Sequence, residues 1–346
     1  MITTLATRAA EPAGQARPAA NAASVQRAET EQLLFFLIPD FTMIAFTNAV
    51  EPLRLANREA GRALYSWRLV SKDGGPVTAS NGISVNVEAA MRDFEPAAGP
   101  RPVVVLCGGI GTERYQDRDV FAWLRRHDRH GAEIGALCTG AHALARAGLL
   151  DGHRVTIHWE NLPGLSEEFP DIEVTGDLFE SDGKRFTCSG GAAAFDLMLH
   201  RIALRHGEEM AARISELCIL DRIRRPDDRQ RMPLPVRLGV HHPKLIRAVE
   251  IMEANIEEPL RQEALAGRIG LSRRQLERLF RRHLGRTPAQ FYLESRLERA
   301  RHLIHQTDLP IMSIACATGF VSASHFSTCY RQMFGKTPRA ERGQTG

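Results

Sequence analysis

The stretch LSRRQLERLFRRHLGRTP, residues 271–288, decides the fold of the carboxyl-terminal part of the chain, because a related stretch, VSASHFSTCYRQMFGKTP, follows at residues 321–338. The identical aligned pairs are Ser272/Ser322, Arg281/Arg331, Gly285/Gly335, Thr287/Thr337 and Pro288/Pro338. Apolar residues also align at positions i, i+4 and i+8, so each copy places them on one face of a helix. The repetition predicts two copies of one supersecondary unit.

Each copy has the pattern of a helix-turn-helix, with a short helix, a tight turn and a longer helix. Gly270 and Gly319 mark the two turns. Ser272 is placed to cap the first long helix, with Gln275 as its capping-box partner, and Ser322 is placed to start the second. We therefore expect the carboxyl-terminal domain to be all-α.

One long helix is expected between the two units. Thr287-Pro288 is an N-cap followed by proline at the first helical position, and the helical pattern continues to about His305. About eighteen residues at roughly 1.5 Å each make a rod of about 27 Å. That length suits two reading helices placed about one DNA turn, roughly 34 Å, apart on one face of the duplex.

The exposed faces of both long helices favour nucleic acid as a partner, because they present arginine and small polar side chains that suit phosphates and base edges. The predicted DNA-binding residues are Arg273, Arg274, Gln275, Arg278, Arg282, Ala323, Ser324, His325, Thr328 and Arg331. Capping alone would also explain Gln275.

A helical bundle with a merely solvated charged face is the alternative interpretation, and the distribution of charge argues against it. Residues 244–346 carry 17 Lys+Arg against 10 Asp+Glu, whereas the rest of the chain carries 28 against 31. The basic excess therefore lies wholly in the duplicated part.

The stretch from about Leu245 to Arg342 resembles the AraC/XylS DNA-binding domain. The matching strings are LSRRQLERLFRRHLGRTPAQFY and IACATGFVSASHFSTCYRQMFGKTP, with the helix between them. The resemblance implies sequence-specific binding to promoter DNA, and activation more often than repression. It places five residues at base-contacting positions, namely Arg274, Arg278, Ala323, Ser324 and Thr328.

From Leu33 to about Leu220, apolar runs alternate with amphipathic helical patterns. The predicted buried strands are LLFFLI (33–38), WRLVS (67–71), VVVLC (103–107), EIGALC (133–138) and RFTCSG (185–190). Helical patterns follow at 42–57, 117–130, 139–147 and 192–206. The alternation predicts an α/β domain, flavodoxin-like, with a mainly parallel sheet and helices on both faces. Such sheets bind ligands at the carboxyl ends of their strands.

The predicted domain organisation is a disordered tail at 1–30, a ligand-sensing domain at 31–223, a linker at 224–243 and a DNA-binding domain at 244–342. The tail is rich in Ala, Pro and Arg and has no apolar core of a secretory signal. No apolar run approaches the length of a membrane span. The six cysteines form no C-x-x-C pair, so neither a zinc site nor a disulfide framework is expected, and a cytoplasmic location fits. We expect no cofactor and no metal.

Cys138 is the chemically suggestive residue of the first domain. It ends an apolar strand and is followed by Thr139, Gly140 and a helical pattern, as in a nucleophile elbow. A cysteine that faces the positive end of a helix has a lowered pKa, so we expect Cys138 to favour the thiolate.

The strings GALCTGAHALARAGLLDGHRVTIHW (135–159) and CSGGAAAFDLMLH (188–200) resemble the PfpI/ThiJ branch of the class I glutamine amidotransferase-like superfamily. The chain as a whole resembles the GlxA-type regulators, in which that domain precedes an AraC-type one. Enzymatic members of the superfamily place a histidine after the cysteine and an acid in the first helix. Here the cysteine is followed by Thr139, and the acid position holds Ala45 or Phe46.

These departures predict a protein that is not an enzyme and has no catalytic residue. The alternative is an amidase or protease-like hydrolase with a nucleic-acid tether, in which His142 or His158 would supply the missing base. The expected function is a ligand-responsive transcription factor, most often an activator in this family. The expected partners are double-stranded promoter DNA, a small-molecule effector, RNA polymerase and a second copy bound through the amino-terminal domain, with no membrane.

Residues 39–85 resemble the subgroup of GlxA-type regulators that respond to glycine betaine, carnitine and related quaternary amines. Quaternary ammonium groups favour aromatic faces. The predicted ligand-binding residues are Phe41, Phe46, Cys138, Thr139, His158 and Trp159. Arginine or another amino-acid derivative is the alternative effector.

Overall fold

The computed structural model describes residues 30–96 and 101–343, so the predicted tail lies outside the described residues except for Thr30. The strands are β1 Glu31–Leu37, β2 Tyr65–Ser71, β3 Val77–Thr78, β4 Ser84–Val85, β5 Ala89–Ala90, β6 Val103–Cys107, β7 Ile134–Leu137, β8 Arg154–Thr156, β9 Glu173–Thr175, β10 Phe179–Asp182 and β11 Arg185–Cys188. The helices are α1 Met43–Ala60, α2 Arg118–Arg129, α3 Gly140–Arg146, α4 Leu162–Glu168, α5 Ala193–His206, α6 Glu208–Leu217, α7 Leu234–Leu238, α8 Pro243–Glu253, α9 Gln262–Arg268, α10 Arg273–Leu284, α11 Pro288–Gln306, α12 Ile311–Ala317, α13 Ala323–Phe334 and α14 Pro338–Gly343.

The main sheet has the strand order β10-β11-β7-β6-β1-β2-β5. Neighbouring strands are parallel except for β10, which pairs antiparallel with β11 at the edge. Successive side chains of β1 enter opposite cores: Phe35 packs with α1, α5 and α6, whereas Phe36 packs with α2, α3 and α4. This alternation between two buried faces confirms the predicted helix-covered, mainly parallel sheet.

The all-α prediction is also confirmed, with α9 and α10 forming the first helix-turn-helix and α12 and α13 the second. Each unit has its own apolar core, and α11 contributes to both. Phe291 and Tyr292 pack in the first core, while Leu297 and Leu303 pack in the second. The 19 residues of α11 make a rod of about 28 Å. One continuous helix therefore fixes the two units relative to each other.

The segment 224–243, predicted to be a linker, makes contacts with both domains. Arg224 pairs with the buried Asp196 at 2.7 Å. The Gln230 amide donates to the Thr156 hydroxyl and to the Ile157 carbonyl, both at 3.0 Å. Leu234, by contrast, packs in the core of the first helical unit. The segment thus joins the end of β8 to the helical domain through specific contacts.

Helix α4 of the first domain packs against the last turn of α11. A Cβ atom at Gly164 would lie 3.2 Å from the Gln306 Cβ and 3.4 Å from the Thr307 Cγ2, which leaves little room for a side chain. Arg114 donates to the His305 carbonyl at 2.9 Å. The first domain therefore rests directly on the helix that carries both helix-turn-helix units. Among the described residues, no helix is long and apolar enough to cross a membrane.

Candidate DNA interface and ligand site

Local sequence signals define the ends of the first reading helix. The Ser272 hydroxyl accepts from the Gln275 amide at 3.3 Å, and the Gln275 side chain accepts from the Ser272 amide at 2.8 Å, as the capping-box pattern predicts. Gly285 ends α10 at φ 67°, in the left-handed region that glycine adopts without strain. Thr287 then caps α11, which starts at Pro288. The string Gly-x-Thr-Pro therefore ends one helix and starts the next.

The face of α10 opposite the core presents arginines to solvent. Leu276 and Phe280 are fully buried, while Arg274, Arg278 and Arg282 are exposed. Within the described part of the chain, no carboxylate lies at ion-pair distance from these three arginines. Their positive charge is free to meet a phosphate or a guanine edge.

The other two predicted residues of this helix have partners within the protein. Arg273 pairs with Glu263 at 2.9 Å and with Glu277 at 3.4 Å. Gln275 is engaged in the capping box. Both side chains are exposed, but these contacts compete with any contact to DNA.

The second reading helix, α13, has a smaller and less charged outer face. Phe326 and Tyr330 are buried in its core. The five predicted residues are all exposed, namely Ala323, Ser324, His325, Thr328 and Arg331, and the first three lie at the start of the helix. The Nε2 atom of His325 lies 3.3 Å from the Cys329 Sγ, which orients the imidazole. Small side chains at the start of α13 allow its amino-terminal end to approach base edges closely.

Arg296 is a structural residue of this interface that sequence reasoning missed. Its guanidinium donates to the carbonyls of Thr318 and Gly319, both at 2.7 Å, and lies 4.2 Å from the centre of the Phe320 ring. It therefore ties the second turn to α11. In the sequence, an arginine on the helix between the two units looks the same whether it holds the turn in place or contacts DNA.

The elbow around Cys138 has the predicted geometry. Cys138 has a φ of 57°, which is costly for a residue with a side chain, and its amide donates to the Cys188 carbonyl at 2.9 Å. A Cβ atom at Gly190 would lie 2.6 Å from the Cys138 Cβ, so only glycine fits beside the elbow. The Thr42 hydroxyl donates to the Cys138 Sγ at 3.4 Å.

The expectation of a thiolate at Cys138 was wrong. Burial raises the pKa of the Cys138 thiol, and hydrogen bonds from Thr42 and Thr139 offset this only in part. The helix that follows, α3, has only seven residues, so its dipole is short. Desolvation of a thiol that is almost completely buried outweighs the dipole, and Cys138 stays protonated at neutral pH.

Comparison with known proteins identifies both domains. The DJ-1/PfpI family matches residues 31–204, and a helix-turn-helix domain matches residues 265–344. The transcriptional regulator GbdR of Pseudomonas aeruginosa is 46% identical over 317 residues, which cover 92% of this chain and 85% of that protein. CdhR of the same organism is 44% identical over 90% of this chain and 92% of that protein. The regulator GlxA of Rhizobium meliloti is 39% identical over 94% and 99%.

The chain belongs to the GlxA-type transcriptional regulators. It pairs a DJ-1/PfpI domain with an AraC-type helix-turn-helix domain, as the resemblance implied. This GlxA-type regulator is a DNA-binding protein, and the exposed faces of α10 and α13 are its candidate contacts with DNA.

Among the described residues of this GlxA-type regulator, neither histidine near the elbow forms a hydrogen bond with the Cys138 thiol. His142 is fully buried, and burial lowers its pKa to about 3. Among the described residues neither of its ring nitrogens has a hydrogen-bond partner, so it is a core residue. Burial also lowers the pKa of His158, whose Nδ1 lies 3.8 Å from the Glu160 carboxylate. Ala45 and Phe46, at the acid position, are buried apolar side chains.

The structure divides the predicted aromatic ligand residues of the GlxA-type regulator into two groups. Phe41 is fully buried and meets Phe46 edge-on at 5.7 Å between ring centres, so these rings fill the core beside Cys138. Trp159 lies at the junction of the two domains. The Arg231 guanidinium is 4.2 Å from the centre of the Trp159 ring, and the His302 ring of α11 is 6.3 Å away.

Proposed function

We propose that this GlxA-type regulator activates transcription in response to a small nitrogenous metabolite bound by its DJ-1/PfpI domain. The observation that carries the proposal is the packing of α4 on α11, because α11 holds both reading helices. A ligand changes DNA affinity only if it binds two arrangements of the protein differently. The contact between α4 and α11 gives such a ligand a direct physical route to the DNA-binding domain.

A quaternary amine such as glycine betaine or carnitine is the effector class we propose. The resemblance of residues 39–85 to regulators of that class supports it, and so does Trp159, which already binds a cation of its own chain. We also propose Cys138, Thr139 and His158 as contacts of the effector. Arginine or another amino-acid derivative is the alternative effector.

Binding without turnover is the chemistry that the elbow supports best. Because the pKa of Cys138 is raised, the thiol is not ionised to the thiolate that would act as a nucleophile. The Thr139 hydroxyl already donates to the Gly109 carbonyl at 2.6 Å. A hydrolase would need a base at hydrogen-bond distance from the thiol. We therefore propose a sensor domain and not an enzyme, with DNA, the effector and RNA polymerase as its partners.

A homodimer through the first domain is part of the proposal. Ile219, two residues after the end of α6, is 93% exposed, and the nearby Leu217 and Leu220 are 42% and 41% exposed. Apolar side chains grouped on a surface in this way favour burial against another protein.

The effector class is tested by thermal unfolding of the full-length protein with glycine betaine, carnitine and arginine. A ligand that binds the folded state stabilises it by RT ln(1 + [L]/Kd), about 2.7 kcal/mol at a hundredfold excess over Kd. We expect the melting temperature to rise with the logarithm of the glycine betaine or carnitine concentration. A rise with arginine alone would support the alternative effector, and no rise with any of the three would remove nitrogenous metabolites as the class.

A further inference from the structure

Trp159 binds a cation that belongs to the protein itself. Arg231, from the segment that joins the two domains, places its guanidinium 4.2 Å from the centre of the indole ring. His158 flanks the same ring at 5.6 Å and His302 at 6.3 Å. Trp159 is only partly buried, so its ring is within reach of a small solute once Arg231 moves away.

Glu160 supplies a negative charge beside this ring. Its carboxylate lies 3.8 Å from the His158 Nδ1. Burial lowers the pKa of both His158 and His302, and the charge of Glu160 offsets this only in part. Both histidines are therefore neutral at neutral pH. Glu160 is one of several charged groups near the ring, because the charges of Arg237, Glu253 and Glu298 also act on the Arg231 guanidinium.

A quaternary ammonium group shares with the Arg231 guanidinium a positive charge that an aromatic face attracts, but the two differ as hydrogen-bond donors. It has no N–H to donate, so its favourable contacts are with aromatic faces and carboxylates. We propose that the cationic effector binds the face of Trp159 that Arg231 covers, with Glu160 as its counter-charge, and displaces Arg231. This rests on the proposed function, because it takes a quaternary amine as the effector.

Displacement of Arg231 would move the segment that connects the sensor domain to the DNA-binding domain. Arg231 follows Gln230, whose amide is anchored at the end of β8, and precedes Leu234, which packs in the core of the first helical unit. His302, which also lies beside the Trp159 ring, belongs to α11. The site therefore lies beside two elements that connect the domains, the segment 224–243 and helix α11.

The test is isothermal titration of glycine betaine into the full-length protein and its variants. Arg231→Ala removes the internal competitor, so we expect glycine betaine to bind about 3- to 10-fold more tightly, from the usual strength of one cation–aromatic contact. Arg229→Ala is the matched control: Arg229 is an exposed arginine two residues away, and we expect no change. Trp159→Ala should weaken binding by about tenfold or more, while Trp159→Phe, which keeps an aromatic face, should retain part of it.

A gain of affinity distinguishes this proposal from a structural role of Arg231, since loss of a structural contact or misfolding would weaken binding. Unchanged affinity in both Arg231→Ala and Trp159→Ala, with normal binding by the wild type, would overturn the site and leave the proposed function standing. No binding of glycine betaine or carnitine by the wild type or by Arg231→Ala would overturn the effector class and the site together.

Discussion

Replacing Arg274 or Arg278 with alanine is expected to weaken sequence-specific DNA binding by about 5- to 150-fold, since a bidentate arginine contact to guanine is worth about 1 to 3 kcal/mol. Both side chains are exposed on α10, and neither has an ion-pair partner in the described part of the chain. Loss of a base contact removes discrimination, whereas loss of a phosphate contact weakens binding to all sequences alike. The measurement is fluorescence anisotropy with a duplex selected from random DNA by the full-length protein and with an unselected duplex.

Arg247→Ala is the matched control for these variants. Arg247 lies on α8 of the same basic domain, its side chain is 66% exposed, and its removal changes the net charge by the same amount. We expect it to leave the preference for the selected duplex unchanged. Equal losses on selected and unselected DNA in the Arg274 and Arg278 variants would show that these arginines contact only phosphates.

Replacing Gly164 with leucine is expected to disconnect the effector from DNA binding. The residue lies where α4 meets α11, and even a Cβ atom there would be 3.2 Å from the Gln306 Cβ. A leucine side chain is larger still, so it forces the two helices apart, while neither domain loses a core residue. Coupling between two ligands of one protein is commonly about 5- to 150-fold. In Gly164→Leu the ratio of operator affinities with and without glycine betaine should fall to about one.

Gly176→Leu is the control for this steric argument. Gly176 lies in the same domain and is not in the left-handed region, and a Cβ atom there would meet no atom of the described residues within 4 Å beyond its chain neighbours. It should keep the wild-type ratio, and Gly164→Ala should lie between the two. Because coupling is reciprocal, operator DNA should also cease to change the affinity of Gly164→Leu for glycine betaine. Wild-type coupling in Gly164→Leu would show that the signal does not pass through α4.

Elements with a strong local signal could be predicted from the sequence. The apolar run at 103–107 predicted β6, and the capping box of Ser272 and Gln275 predicted the start of α10. By contrast, β8 and β9 are three-residue strands that each begin with an exposed residue, and no apolar run marks them. Their pairing depends on contacts between distant residues, which periodicity does not report.

The ligand site was harder to predict than the DNA interface for a related reason. Exposure of Arg274 and Arg278 follows from the helical period, once Leu276 and Phe280 are assigned to the core. The surroundings of Trp159 depend instead on Arg231 and His302, which lie far along the chain and reach it only through the packing of two domains. The direction of the Cys138 pKa shift likewise depends on burial, which the elbow motif does not encode.

The central claim is that α11 holds two helices that both contact DNA. Hydroxyl-radical footprinting of the full-length protein on its selected duplex tests this claim most directly. With α10 and α13 at the two ends of a rod of about 28 Å, two protected segments are expected on one face of the duplex, with centres about one helical turn, roughly 10 base pairs, apart. A single protected segment, or two segments on opposite faces, would contradict the account.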